Sequence, residues 1–267
     1  MDMKLSDGFF DLCINISNEN TDYLYSTLER LYEMGFKTVA INQTFDESIF
    51  DTEKKRKKGE ATECQRNLPN PFNIDELLTK FDGKLKILNR LTFVFSDPIR
   101  THSMGHAPAL KKYNLYAVAP KSQAAIQFAC SQINADIISI NPNSTGLKLN
   151  RKLYMQAVER GLHFEIQYCN ILNPETRKNA IYFSHLFYTY GKSKNIIVSS
   201  GASNANTIRS PYDIVNLCQI LGLNEVNAKG SILWQCKCLI TKAEKRRHGK
   251  AIFSVECMDC NEQDDTD

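Results

Sequence analysis

Apolar positions along this chain alternate between two spacings. Short unbroken or period-two runs mark strands, and longer stretches with apolar residues three and four apart mark helices. Phe9 to Ile14 reads as a first strand. Thr21 to Met34 reads as a helix with Leu24, Leu28 and Leu31 on one face, ended by Gly35. Thr38 to Asn42 is a second strand, and a short helix lies near Asn73 to Phe81. Ile87 to Phe95 is a strand closed by Ser96-Asp97-Pro98. Strand-helix units follow at Leu115 to Ala119 with Ser122 to Asn134, at Ile137 to Ile140 with Arg151 to Arg160, and at Phe164 to Tyr168 with Arg177 to Tyr190. Asn195 to Ser199 is the last strand, too short and too β-branched for a helix. A polar loop leads from it to a helix that Pro211 starts, with Ile214, Leu217, Cys218 and Leu221 at helical spacing and Gly222 as its stop. A final helix is predicted over about Asn224 to Thr241.

Seven strands alternating with helices predict βα units and a parallel sheet. An eightfold barrel of about 250 residues is the first choice, with one unit irregular or missing, and a doubly wound open sheet is the second. A chain of 267 residues with 42% hydrophobic content fits one such α/β domain. That domain is expected over residues 1–241, with a flexible polar insertion at about 45–71 and a disordered basic-then-acidic tail at 242–267. No apolar run reaches eighteen residues, and the start lacks the order of a secretory signal, so a soluble intracellular protein is expected. Nine cysteines, most of them inside apolar runs such as those around Cys13, Cys130, Cys169 and Cys218, argue against a disulfide framework.

The net charge of +3 is small, but the positive charge is clustered. Lys54 to Lys58 reads KKRKK, Lys242 to Lys250 reads KAEKRRHGK, and the chain ends in the acidic NEQDDTD. Basic runs of this kind are solvated loops, nuclear import signals or RNA-contacting segments.

Several familiar chemistries are present in residue type and fail on spacing. Gly191-Lys192-Ser193 ends like a phosphate-binding loop, yet Leu186 stands where the first glycine is required and the segment precedes a strand. His102 and His106 are four apart, but Gly105 and Pro108 argue against a helix there. Cys236 and Cys238 with Cys257 and Cys260 have zinc-like spacing, although Cys236 falls on the apolar side of the last helix. Strand alternation is more informative. If Phe164, Ile166 and Tyr168 meet helices, Glu165 and Gln167 line the interior, and the same parity sends Phe10, Leu12 and Ile14 outward and Asp11 and Cys13 inward. Asn42, Arg90, Ser139 and Ser199 are further inward candidates. Buried charges require partners, so a network of Asp11, Arg90 and Glu165 is expected at one barrel mouth, as an ion-pair staple or as a catalytic site.

Five segments carry a resemblance to a known family: KILNRLTFVFSDP (Lys86 to Pro98), YNLYAVAPKS (Tyr113 to Ser122), ERGLHFEIQY (Glu159 to Tyr168), NIIVSSGAS (Asn195 to Ser203) and IRSPYDIVNLCQILGL (Ile208 to Leu223). In that order they resemble the barrel-type protein subunit of eukaryotic and archaeal ribonuclease P, shared in eukaryotes with ribonuclease MRP. The match covers most of Lys86 to Cys238 and, more weakly, Asp7 to Asn42.

The resemblance implies a TIM-barrel-like fold of the polymerase-and-histidinol-phosphatase type, whose enzymes carry a His-x-His metal pair on the first strand. Here that triplet is Asp11-Leu12-Cys13, which lacks the imidazole ligands. The implied role is therefore a noncatalytic subunit that holds no metal or cofactor itself. The partner RNA and its bound Mg2+ would remove the 5′ leader from precursor tRNA, or process ribosomal RNA in the MRP particle. A small subunit of RNA-recognition-like fold is an implied protein partner, with aromatics on Tyr182 to Tyr190 as its candidate surface. The nucleus and nucleolus are the implied location, without membrane association. Counterion release makes basic side chains the natural RNA contacts, and Lys121, Arg209, Lys245, Arg246 and Arg247 are the candidates. The alternative reading is a surviving metal-dependent phosphoesterase on the same barrel. A weaker third is a small-molecule barrel enzyme using the polar mouth.

Overall fold

A computed structural model of the chain describes residues 8–16, 22–49, 68–102, 107–144 and 146–249. Seven strands, β1 (Phe9–Asn15), β2 (Phe36–Asp46), β3 (Lys86–Phe95), β4 (Leu115–Pro120), β5 (Ile137–Ser139), β6 (His163–Gln167) and β7 (Ile196–Ser199), run parallel and pair in sequence order. Successive parallel strands need crossovers. These are supplied by α1 (Asp22–Glu33), α2 (Asp75–Lys80), α3 (Pro98–His102), α4 (Gln123–Ser131), α5 (Arg151–Glu159), α6 (Cys169–Leu172) and α7 (Pro174–Gly191). Three more helices, α8 (Pro211–Ile220), α9 (Glu225–Ser231) and α10 (Trp234–His248), follow the last strand. The sheet curls until β7 faces β1, giving the barrel with one unit missing that the alternation predicts.

Side chains pointing outward from the strands form the larger core with the helices. Leu24, Leu28 and Leu31 of α1 are fully buried against Val39 and Ile41 of β2, each contributing about 1.5–3 kcal/mol through burial. Tyr154 of α5 stacks on Phe164 of β6 at 4.5 Å between ring centroids, and Phe187 of α7 lies 5.0 Å from Phe164. Gly191 follows from this packing, because a Cβ there would fall inside the Tyr154 ring. Gly191-Lys192-Ser193 is thus the exit of α7, with Lys192 and Ser193 at φ 48° and 59°, leading into β7. The helix starts expected at Ser122 and Pro211 are capped as the sequence implies: the Ser122 and Ser210 hydroxyls accept from the Ala125 and Asp213 N–H groups.

The barrel does not close by a regular ladder. Between β7 and β1 the Gly201 N–H donates to Cys13 O (3.0 Å), Asn15 N–H to Ala202 O (2.8 Å) and Phe10 N–H to Ile232 O (3.0 Å). That last bond explains a departure from the predicted final helix. The stretch 224–241 is two helices, α9 and α10, broken at 232–233 so that Ile232 can offer its carbonyl to the β1 edge. Past the break, α10 lays Cys236, Leu239, Ile240 and Ala243 across the amino-terminal end of the barrel, against Phe10, Leu88, Leu115, Ala117, Ile137 and Ile197.

Two predicted boundaries are corrected. The domain does not stop at residue 241, because α10 continues to His248 and its basic residues pin it to the loops below the sheet. Lys242 Nζ donates to Gly161 O (2.8 Å) and Ala135 O (3.3 Å), and Gln235 pairs with His163 at 3.0 Å. Residues 250–267 lie outside the described residues. So do 50–67 of the predicted insertion, but its flanks are ordered: β2 runs to Asp46, Leu68 is buried, and the Tyr113 hydroxyl donates to Pro69 O (3.0 Å).

The strongest tether of α10 is ionic. Arg246 donates to both oxygens of Asp136, at 2.9–3.1 Å, and Asp136 also accepts the Tyr116 N–H at 2.8 Å. Asp136 is fully buried, so removing either partner strands a charge. Asp136→Ala and Arg246→Ala should each lower the stability measured by urea unfolding by about 3–5 kcal/mol. Lys245→Ala, one residue away and exposed, should change it by less than about 0.5 kcal/mol.

Candidate functional site

The carboxyl-terminal half of the barrel interior holds a polar network centred on Arg90. Its guanidinium, fully buried, grips Glu165 with two parallel hydrogen bonds, Nη1 to Oε1 at 2.5 Å and Nη2 to Oε2 at 2.7 Å. Nη1 also donates to Leu12 O (2.7 Å) and Nε to the Thr92 hydroxyl (3.2 Å). Glu165 accepts two further bonds, from the Ser199 hydroxyl to Oε1 (2.7 Å) and from Gln167 Nε2 to Oε2 (2.9 Å). From Thr92 the network runs through Asn42 Oδ1 (2.6 Å) to Asn15 Oδ1 (2.8 Å), and Asn15 Nδ2 donates to Gly201 O (2.8 Å). Gln167 Nε2 also reaches the Ser139 hydroxyl at 3.1 Å.

Charge and burial oppose each other here. Burial pushes the Glu165 carboxyl up, but the Arg90 guanidinium and the bonds from Arg90, Ser199 and Gln167 outweigh it and hold the group below the usual carboxylate range. The pair is therefore ionised on both sides and neutral in sum. A bidentate fork of this kind is the strongest form of such a pair.

Asp11 is not a member of the network, which corrects the predicted triad. Its Oδ1 accepts the Ser200 N–H at 3.0 Å and the Cys13 N–H at 3.3 Å, while its Oδ2 has no hydrogen-bond partner among the described residues. The cause is a β-bulge. Asp11 pairs with Val39 and Ile14 with Ile41, so Leu12 and Cys13 both stand opposite Ala40. Phe10 and Leu12 consequently join the inner apolar cluster instead of facing helices, Cys13 stays inward, and Asp11 shares the helix-facing side of Val39. There its carboxylate does the work of a strand carbonyl, receiving a β7 exit N–H where the ladder is missing. Gly201, at φ 63°, completes the seam: a Cβ would meet Cys169 Sγ at 2.7 Å.

Of the five predicted RNA contacts, the structure leaves three facing solvent. Lys121 follows β4, its N–H bonded to Phe95 O (2.8 Å) and its side chain exposed. Arg209 is half-buried before α8, its N–H donating to the Tyr168 hydroxyl (3.2 Å) and Nη1 to Asn206 O (3.0 Å). Lys245 is exposed. Arg246 and Arg247 are corrections. Arg246 is committed to Asp136, and Arg247 donates to Glu244 (2.8 Å) and to Lys111 O (3.1 Å). Sequence clustering missed this because the acid that claims Arg246 lies far off in the chain. Thr92 and Asn15 were also missed; Thr92 is legible by alternation, two residues beyond Arg90.

The donor set does not fit a metal centre. At the position of the expected ligand triplet, Asp11 faces outward and Leu12 inward, and the nearby barrel interior is filled by a cationic guanidinium. Among the described residues no group of three or more His, Cys, Asp or Glu could hold an ion. Cys236 lies buried under the barrel, with its thiol donating to Ser231 O (3.3 Å), while Cys238 is exposed. Cys257, Cys260 and His106 lie outside the described residues.

Comparison with known proteins bears on the family and the fold. The family profile described as RNase P subunit p30 matches residues 8–248. The ribonuclease P protein subunit p30 of Mus musculus is 29% identical over 241 residues, covering 87% of this chain and 85% of that protein. Protein GAMETOPHYTE DEFECTIVE 1 of Arabidopsis thaliana is 36% identical over 154 residues, 57% of this chain; the match spans only 26% of the plant protein. A chain in the structure of archaeal ribonuclease P with mature tRNA has the same fold, with a TM-score of 0.62 at 16% identity, covering 92% of this chain and 97% of that one.

Two substitution series test the interior. Glu165→Ala and Arg90→Ala should each destabilise the protein by about 3–5 kcal/mol, whereas Arg90→Met with Glu165→Leu should cost far less than the sum of the singles. Burial raises the Asp11 carboxyl to about 6. Its proton is thus held more tightly in the fold than in the unfolded chain. The stability this supplies is full below about pH 4 and is lost as pH rises to about 6. Asp11→Asn keeps an oxygen for Ser200 and should flatten that part of the pH-stability curve without loss at pH 7. Asp11→Ala should cost about 1–3 kcal/mol at pH 7 by leaving the Ser200 N–H unpaired.

Proposed function

This chain belongs to the RNase P subunit p30 family, and from that premise we propose that it is a protein subunit of the ribonuclease P ribonucleoprotein, acting without catalysis of its own. The observation that carries the noncatalytic part is the Arg90–Glu165 fork. It fills the barrel interior with a fixed positive group, and all four of the hydrogen bonds Glu165 receives come from the protein itself. A carboxylate so engaged is available neither as a ligand nor as a base.

The subunit would then hold and position the catalytic RNA. Cleavage of the 5′ leader of precursor tRNA, and the Mg2+ it uses, would belong to that RNA. Membership of ribonuclease MRP as well, with a role in ribosomal RNA processing, and a nuclear and nucleolar location extend the same proposal. A small RNA-recognition-like subunit is the proposed protein partner. Its surface is the outer side of α7, where Ile181, Tyr182 and Tyr188 are about half exposed.

Recovery of the tagged full chain from its own cells, with sequencing of the bound RNA and an assay of precursor-tRNA cleavage, tests this reading. The expected result is enrichment of ribonuclease P RNA, and of MRP RNA if both particles share the subunit, with 5′-leader cleavage that disappears on nuclease treatment. Phosphoester hydrolysis by the RNA-free chain, abolished by chelation, would overturn it in favour of the metal-dependent phosphoesterase.

A further inference from the structure

Charge on this barrel is segregated by sector. Between Pro98 and Val158 the sequence has seven basic residues and a single acid, Asp136. That acid is fully buried and neutralised by Arg246, so no exposed acid falls within this stretch, which Asp97 and Glu159 border. Over the whole chain, by contrast, 33 basic residues face 30 acidic ones.

Within this sector four exposed cations converge on the carboxyl-terminal rim. Lys121 leaves β4, Lys148 lies in the loop that follows β5, and Arg151 and Lys152 open α5. One side chain ties their segments together. Gln123 donates to Lys148 O (3.0 Å) and accepts the Lys148 N–H (2.8 Å), clamping the loop onto the first turn of α4. Asn150 then caps α5 through the Leu153 N–H (2.9 Å), and Ser122 both caps α4 and donates to Ser96 O (2.7 Å). The cations therefore stand on a fixed rim. The first turns of α4 and α5 carry no acid, unlike those of α7, α8 and α9. Lys121 also lies close enough to Asp46 to lower its carboxyl, after the larger effect of Ser48, which marks the border of the patch.

Resting on the ribonuclease P reading, we propose that the rim formed by Lys121, Lys148, Arg151 and Lys152 is the face on which this subunit grips the phosphate backbone of its RNA partner. A row of cations without interspersed acids suits a polyanion of uniform charge, and its fixed spacing on two helix starts favours position over base sequence.

The test compares the full chain with a variant carrying Lys121→Gln, Lys148→Gln, Arg151→Gln and Lys152→Gln, and with a control carrying Lys37→Gln, Lys80→Gln and Lys84→Gln, which lie around the starts of β2 and β3 at the other end of the barrel. Binding to transcribed ribonuclease P RNA is measured from 50 to 300 mM KCl. All four substituted positions are exposed, so an unchanged thermal melt is expected and is checked first. The rim variant should lose roughly 3 units of log–log salt slope, while the control keeps its slope within about 1. An equal slope in wild type and rim variant overturns the rim assignment but leaves the ribonuclease P reading intact. No binding by the wild-type chain, alone or in its purified complex, defeats that reading itself. An unchanged slope with loss of a copurifying acidic polypeptide identifies the rim as a protein contact and rejects the RNA assignment.

Discussion

Arg90 cannot be buried without Glu165, and the interior of the barrel is organised around that requirement. A guanidinium in a nearly dry interior costs several kcal/mol unless a carboxylate and further acceptors surround it. The fold meets the demand with the two Glu165 oxygens, the Leu12 carbonyl and the Thr92 hydroxyl. Glu165 in turn needs Ser199 and Gln167. The pair thereby draws polar groups from β1, β3, β6 and β7 into one network and fixes the register in which these strands can coexist. It also neutralises the interior, with each Glu165 oxygen already accepting two hydrogen bonds.

A seven-stranded parallel barrel has to solve its own closure. With no eighth unit, the β1 edge would expose N–H and C=O groups inside the molecule, and buried backbone groups must be paired. The structure answers with substitutes for a strand: the Asp11 carboxylate, the Gly201 and Ala202 peptide groups, and the Ile232 carbonyl from the break between α9 and α10. The bulge at Leu12 and Cys13 is part of the same solution, since it turns Asp11 toward the seam while returning Cys13 to the interior.

The amino-terminal end of the barrel is closed by α10, and this changes the meaning of the basic run at its end. Lys242 and Arg246 are consumed by carbonyls and a carboxylate of the loops beneath the sheet, and Arg247 by the Lys111 carbonyl and by Glu244 of α10 itself. On the β4–β5 rim, by contrast, Lys121, Lys148, Arg151 and Lys152 are exposed, scattered along the sequence and gathered only by the fold. At the amino-terminal end Lys242, Arg246 and Arg247 are engaged in holding α10, and Lys245 stays exposed.

The sequence by itself determined the strand and helix order, a barrel with one unit irregular or missing as the first choice of fold, the inward face of β3, β6 and β7, and the partnership of Arg90 with Glu165. Those follow from apolar spacing and from the rule that a buried charge must be paired, both local or nearly so. Only the tertiary structure decided where Asp11 points, because a single bulged residue reverses strand parity and leaves no signature in the apolar pattern. The same holds for the division of the last helix and for the fate of Arg246. Each was set by a partner far off in the chain, a β1 edge N–H at Phe10 and a buried carboxylate at Asp136, and no window of neighbouring residues contains that information.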